Sequence, residues 1–198
     1  MKSLASPFLA LCGWLLLASP VFAIRTVVID AGHGGHDRGG MPGQRIPEKG
    51  YALDVARRLE SNLRRAGFRT VMTRNGDYFV GLGGRCAIAN RERNAVFISV
   101  HFNSGAREGA NGIETYYYTR QSAGFAAEVH AQVLRAAGTE NRGIRRRGFY
   151  VIRNTRIPAV LAECGFLTNR REGSRIMTSS HRQRLADALS RAIISRYR

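Results

Sequence analysis

The chain has 198 residues, 44% of them hydrophobic and 23% charged, the proportions of a globular chain rather than a disordered one, and long enough for one domain with a proper core. Its 31 Lys+Arg against 14 Asp+Glu give a formal net charge of +17, nearly all of it arginine. That balance draws a chain to polyanions (nucleic acid, anionic lipid headgroups, an acidic cell-envelope polymer), although a solvated basic surface would look the same.

Residues 1–23 read as a secretory signal peptide. Lys2 supplies a positive start, and Phe8 to Ala18 is an apolar run too short for a comfortable membrane span. Val21 and Ala23 occupy the two positions a signal peptidase reads. Cleavage is expected after Ala23, leaving 24–198 as the mature domain; an uncleaved anchor is the alternative. Lipidation at Cys12 is disfavoured by the bulky Leu11 before it. Export to the periplasm or the extracellular cell wall argues against nucleic acid as the partner. Only Cys86 and Cys164 would survive cleavage, too far apart in sequence to say whether they pair.

The mature chain opens on Thr26, Val27, Val28 and Ile29, which run without alternation into Asp30 and then His33 between glycines. An unbroken β-branched run reads as a strand buried on both faces. A glycine-rich loop follows, and Pro47 and Glu48 open a helix whose inward face is Ala52, Val55, Ala56, Leu59, Leu63 and Ala66. Arginines coat its outside and Gly67 stops it. Phe68 to Thr73 reads as the second strand, Leu82 to Asn94 as a helix, and Ala95 to His101 as the third strand.

After a polar loop, Ile113 to Tyr118 reads as a more peripheral strand and Ala123 to Ala137 as a helix with Phe125, Val129, Val133 and Ala137 inward. Arg142 to Arg147 reads as a basic loop, Phe149 to Ile152 as a short strand, and Pro158 to Glu163 as the last buried strand. A closing helix, about His181 to Arg198, buries Leu185, Ala188, Leu189, Ala192 and Ile193. Strands that alternate with helices predict a single α/β domain: a mostly parallel twisted sheet of about six strands, with helices on both faces.

Three buried strands each end in an ionisable group: His33, His101 and Glu163. In open α/β sheets that edge is where ligands bind. Two histidines with the carboxylate of Glu48 make a common open zinc set. Glu163 could then take a proton from water that the metal acidifies. A carboxylate that ends a buried apolar strand is costly without a partner, which makes Glu163 the strongest single signal. Spacing alone leaves a purely structural reading open, since strand-end histidines and first-turn glutamates often serve the fold. His36 is the ligand most easily confused with His33.

Taken in order, VVIDAGHGGHDRGG, PEKGYALDVARRL, TRNGDYFVGLGGRCAIAN, VFISVHFNSG, GIETYYY and PAVLAECGFLTNRRE span nearly the whole mature chain. They resemble the zinc-dependent N-acetylmuramoyl-L-alanine amidases of the type 3 family, which are peptidoglycan hydrolases. The resemblance implies one catalytic zinc on His33, Glu48 and His101, with Glu163 as acid/base and the anionic cell-wall polymer as substrate. Family members that need an activator carry a long inhibitory insertion where Tyr118 and Ala123 are here separated by four residues. That departure implies a monomer active without an obligatory activator. Glu108 is the only carboxylate in the remaining candidate lid and is expected to have little effect. A non-catalytic envelope-binding protein and an exported metallopeptidase that cuts stem peptides are the competing readings.

Overall fold

The computed structural model describes residues 24–198 apart from residue 108, so the expected signal peptide and Glu108 lie outside the described residues. Strands β1 (Thr26–Ala31), β2 (Arg69–Met72), β3 (Ala95–Asn103), β4 (Ile113–Tyr117), β5 (Asn141–Arg146) and β6 (Ala159–Phe166) form one sheet in the order β2-β1-β3-β6-β4-β5. The first four in that order run parallel. β4 then pairs antiparallel with β6, and β5 follows it in parallel.

Because strand side chains alternate between faces, one run of valines and isoleucines can fill two cores. Val27, Ile29, Val96, Ile98 and Val160 face one layer. That layer is α1 (Glu48–Arg65), α3 (Ala123–Ala137) and α6 (Ser179–Tyr197), which contribute Leu59, Leu63, Phe125, Val129, Leu185 and Leu189. Val28, Phe97 and Leu161 face the other way, against Cys86 and Ala89 of α2 (Leu82–Asn90) and Val151 and Ile152 of α4 (Tyr150–Arg153). The central strands are thus covered on both faces, as their unbroken apolar runs require. Cys86 and Cys164 lie in the two different cores and are unpaired among the described residues. Among the described residues no helix is long and apolar enough to cross a membrane.

The structure corrects two element assignments. Phe149 to Ile152 is not a strand: Val151 and Ile152 are buried on a short helix, α4. The sixth strand is instead Asn141–Arg146, expected as a basic loop, which pairs with β4 from Ile113 to Tyr117. β5 is an edge strand with mostly solvated side chains, so it carries no apolar alternation to announce it.

Boundaries shift elsewhere. α2 stops at Asn90 rather than Asn94, whose own φ is 49° and whose carbonyl accepts from the backbone of Arg25 and Thr26. β6 runs three residues past Glu163. α5 (Arg170–Ile176) had no counterpart in the sequence reading; Asn169 caps it by accepting from the backbone N–H groups of Arg171 and Glu172.

Candidate active site

Four parallel strands bring their C-terminal ends to one edge, and the site is built there. β1 delivers His33 on a sharp turn: His33 itself takes φ 61°, followed by Gly34 at 128° and Gly35 at 61°. A left-handed histidine is sparsely populated and persists only where its surroundings impose it. Two buried arginines do so. Arg85 donates to the carbonyls of Ala31 (2.7 Å) and His33 (2.7 Å), and Arg74 to those of Ala31 (2.9 Å) and Gly32 (2.6 Å). Asp30 balances Arg85 through an ion pair of 2.8 Å, both side chains being almost wholly buried. The second Asp30 oxygen accepts from Ser99 at 2.6 Å, while Thr73 donates to the first at the same distance. Burial works against ionisation of Asp30, but Arg85 and the two hydroxyls prevail and hold its pKa below the usual value.

His33, Glu48 and His101 converge on one point. Each offers a ligand atom within 4.8 Å of the others. Glu48, the first residue of α1, lies 3.0 Å from His33 Nε2 through one oxygen and 2.9 Å from His101 Nδ1 through the other. The latter oxygen also accepts the N–H of Phe102 at 2.9 Å. His33 Nδ1 meets Asp37 at 2.9 Å, which fixes the tautomer and leaves Nε2 for a ligand, the usual outer carboxylate of a metal-bound histidine. Glycines make the convergence possible: a Cβ on Gly32 would collide with the His101 ring, and one on Gly39 with His33 and Glu48.

Electrostatics agree with a cation between these groups. Burial opposes the charge on His101, yet the hydrogen bond and charge of Glu48 raise its pKa to about 9. Burial likewise opposes ionisation of Glu48, and the two histidines hold it at about 2. The space among the three side chains favours positive charge, a preference that a dication on nitrogen and oxygen donors satisfies. The residues present therefore fit zinc.

Glu163 sits in register with His101 on the neighbouring strand. Its Oε2 is sealed from solvent without a hydrogen-bond partner. Burial raises its pKa; His101 pulls it back, Glu48 and Glu114 push it up again, and it settles at about 7. Glu114 faces it because β4 runs antiparallel to β6, which brings the start of β4 to the same edge. That second carboxylate is fully engaged by Asn103 (2.7 Å), Tyr116 (2.8 Å) and Arg142 (3.2 Å). A cleft of about 360 Å³ opens over the group, lined by His33, Glu48, His101, Asn103, Ser104 and Glu163 among others.

All four residues singled out in the sequence thus meet at one edge. His36 stands apart, stacked on Phe79 with ring centroids 4.2 Å apart. Sequence reasoning missed Asp37, the Asp30–Arg85–Arg74 network and Glu114. The first two left a signal: a carboxylate four residues after a candidate ligand histidine, and a lone aspartate in a buried apolar strand.

A family profile described as N-acetylmuramoyl-L-alanine amidase, type 3, matches residues 27–195. YqiI of Bacillus subtilis is 35% identical over 199 residues, 96% of each chain. The N-acetylmuramoyl-L-alanine amidase LytC of the same organism is 33% identical over 92% of this chain, which spans 37% of LytC's length. Among solved structures, the catalytic domain of CwlV, an N-acetylmuramoyl-L-alanine amidase from Bacillus (Paenibacillus) polymyxa var. colistinus, superposes with a TM-score of 0.83 at 37% identity, covering 87% of this chain and 97% of its own.

Proposed function

The chain belongs to the type 3 N-acetylmuramoyl-L-alanine amidases, and from that membership we propose how its residues divide the work of hydrolysis. It is a peptidoglycan amidase, and the bond cut joins the lactyl group of N-acetylmuramic acid to the L-alanine of the stem peptide. His33, Glu48 and His101 hold one zinc ion. Zinc held there supplies a Lewis acid that polarises the amide carbonyl and acidifies water toward a pKa of ~7.

Glu163 moves the protons. Burial holds its pKa above the ordinary carboxylate value, which suits a group that must take up a proton and give it back. It accepts a proton from the attacking water and returns it to the leaving amine. Asp37 holds the His33 ring, and the buried arginines hold the backbone that carries it. The observation that carries this reading is the sealed, unpartnered Oε2 of Glu163 beside three converging metal donors. A buried carboxylate oxygen left without a partner is costly, and its cost is explained if the group is kept for proton transfer rather than for the fold.

We place the enzyme in the envelope, in the periplasm or the extracellular cell wall, exported by residues 1–23 and acting as a monomer without an activator. The cell-wall amidases among its relatives support the first point. The short link from β4 to α3, a single 3-10 turn over Arg120–Ser122, supports the last, since it leaves no length for a helix over the donors. Digestion of purified sacculi with and without chelator, followed by mass spectrometry, tests the reaction. Release of intact stem peptides that begin with L-alanine, abolished by chelation and restored by zinc, is expected. Fragments cut within the stem would make the protein a peptidase instead.

A further inference from the structure

A second cleft of about 370 Å³ adjoins the donor group on the α2–α4 side, within the size range of small-ligand sites. His33 and His101 form its inner end, and Phe79, Val80, Leu82, Phe149, Tyr150 and Val151 its walls. Seven large apolar side chains are exposed among the described residues, and four of them share this cleft: Phe79 (47%), Leu82 (54%), Phe149 (44%) and Tyr150 (45%). Such a concentration beside reacting groups marks a ligand surface rather than scatter.

The cleft offers no unengaged charge beyond the donor histidines. Arg85, its one arginine, spends its donors on Asp30 and on the carbonyls of Val80, Ala31 and His33. Asp30 is held by Arg85, Ser99 and Thr73, and Asp37 by His33 and the N–H of Gly39. In a neighbouring cleft that shares His33 and Asp37 the chemistry reverses. A cleft of about 590 Å³ is lined by Arg38 and Arg45, neither paired with a carboxylate among the described residues.

Resting on the amidase reading above, we propose that the aromatic cleft is the subsite for the N-acetylated sugar, and that the stem peptide leaves the donor group toward Arg38 and Arg45. The two halves of the substrate differ as the clefts do. The pyranose ring and acetyl methyl present uncharged C–H faces, which pack on aromatic rings. The stem peptide carries carboxylates, which call for guanidinium partners. His33 lines both clefts, so a bond held at the donors can join a sugar in one to a peptide in the other.

Calorimetric titration of the mature protein with two separate probes tests this: a peptide-free disaccharide ending in N-acetylmuramic acid, and a sugar-free stem peptide. Phe79→Ala and Tyr150→Ala should each weaken the disaccharide about tenfold and leave the peptide within about twofold. Tyr150→Phe, which keeps the ring, should bind the disaccharide as the parent does. Unchanged disaccharide affinity in the alanine variants, an equal loss for the peptide, or no disaccharide binding by the parent protein would each overturn the assignment. The amidase reading fails separately, if the parent protein releases no stem peptide from the corresponding muropeptide.

Discussion

The two flanks of the sheet edge treat their buried carboxylates in opposite ways. On the β1–β3 flank every charge is saturated: Asp30 has Arg85, Ser99 and Thr73, and Glu48 has two histidines and the N–H of Phe102. Both carboxyls are held well into their ionised range. On the β6–β4 flank Glu114 is equally saturated, but Glu163 beside it keeps an oxygen with no partner and a pKa of about 7. Saturated groups fix geometry. An unsatisfied one is free for something that comes and goes, and on the function proposed above the contrast separates the residues that hold from the residue that reacts.

The largest expected effect comes from the holding side. His101→Ala should remove the zinc and abolish activity while circular dichroism stays near that of the parent, since an open site contributes less to folding than a closed one. Zinc retained in that variant would break the distinction. Arg85→Ala strands the buried Asp30 charge and frees the His33 carbonyl. A loss of roughly 3–5 kcal/mol in unfolding free energy is expected, together with weaker zinc binding. Full zinc affinity at reduced stability would show that the arginine supports the fold and not the ligand.

Glu163 sharpens the contrast through pH. Its folded pKa of about 7 lies above the ordinary carboxylate value of 4.5, so the folded state binds the extra proton. Its favourable contribution is fully present below about 4.5 and is lost as pH rises through about 7. In the metal-free protein, Glu163→Gln should therefore raise Tm at pH 8 by roughly 2–4 °C and change it little at pH 4. A lower Tm at pH 8 would mean that the carboxylate is held by partners after all.

The smallest effect concerns the surface. Arg145, Arg146 and Arg147 are exposed on and after edge strand β5. Replacing all three by Gln should weaken co-sedimentation with sacculi a few-fold at low salt and hardly at all at high salt, because exposed charges are screened beyond ~8 Å near physiological ionic strength. Part of the basic surface is committed elsewhere: Arg142 serves Glu114, and Arg58 ties α1 to α6 through Gln183 and Ser179. Equal losses at both salt levels would place these arginines in a specific contact.

The contrast also shows what a sequence makes visible. Val27 to Ile29, Val96 to Ile98 and Ala159 to Ala162 are legible as buried strands because nothing polar interrupts them, and the ionisable residues beyond their ends are legible for the same reason. β5 was not legible, because an edge strand of arginines owes its form to hydrogen bonds with β4 and not to its own side chains. Glu114 was hidden in a run that looked peripheral, since its partners Asn103, Tyr116 and Arg142 come from three strands. Asp37 stood in plain sight, but only the turn after β1 folds it back onto His33.

Glu163→Gln, with zinc content and turnover of a soluble muropeptide measured on the same preparation, tests the division most directly. The substitution keeps the shape and removes the proton acceptor. The account predicts about one zinc per chain, as in the parent, with turnover lower by roughly two or more orders of magnitude. Loss of the zinc, or turnover near that of the parent with zinc in place, would contradict it.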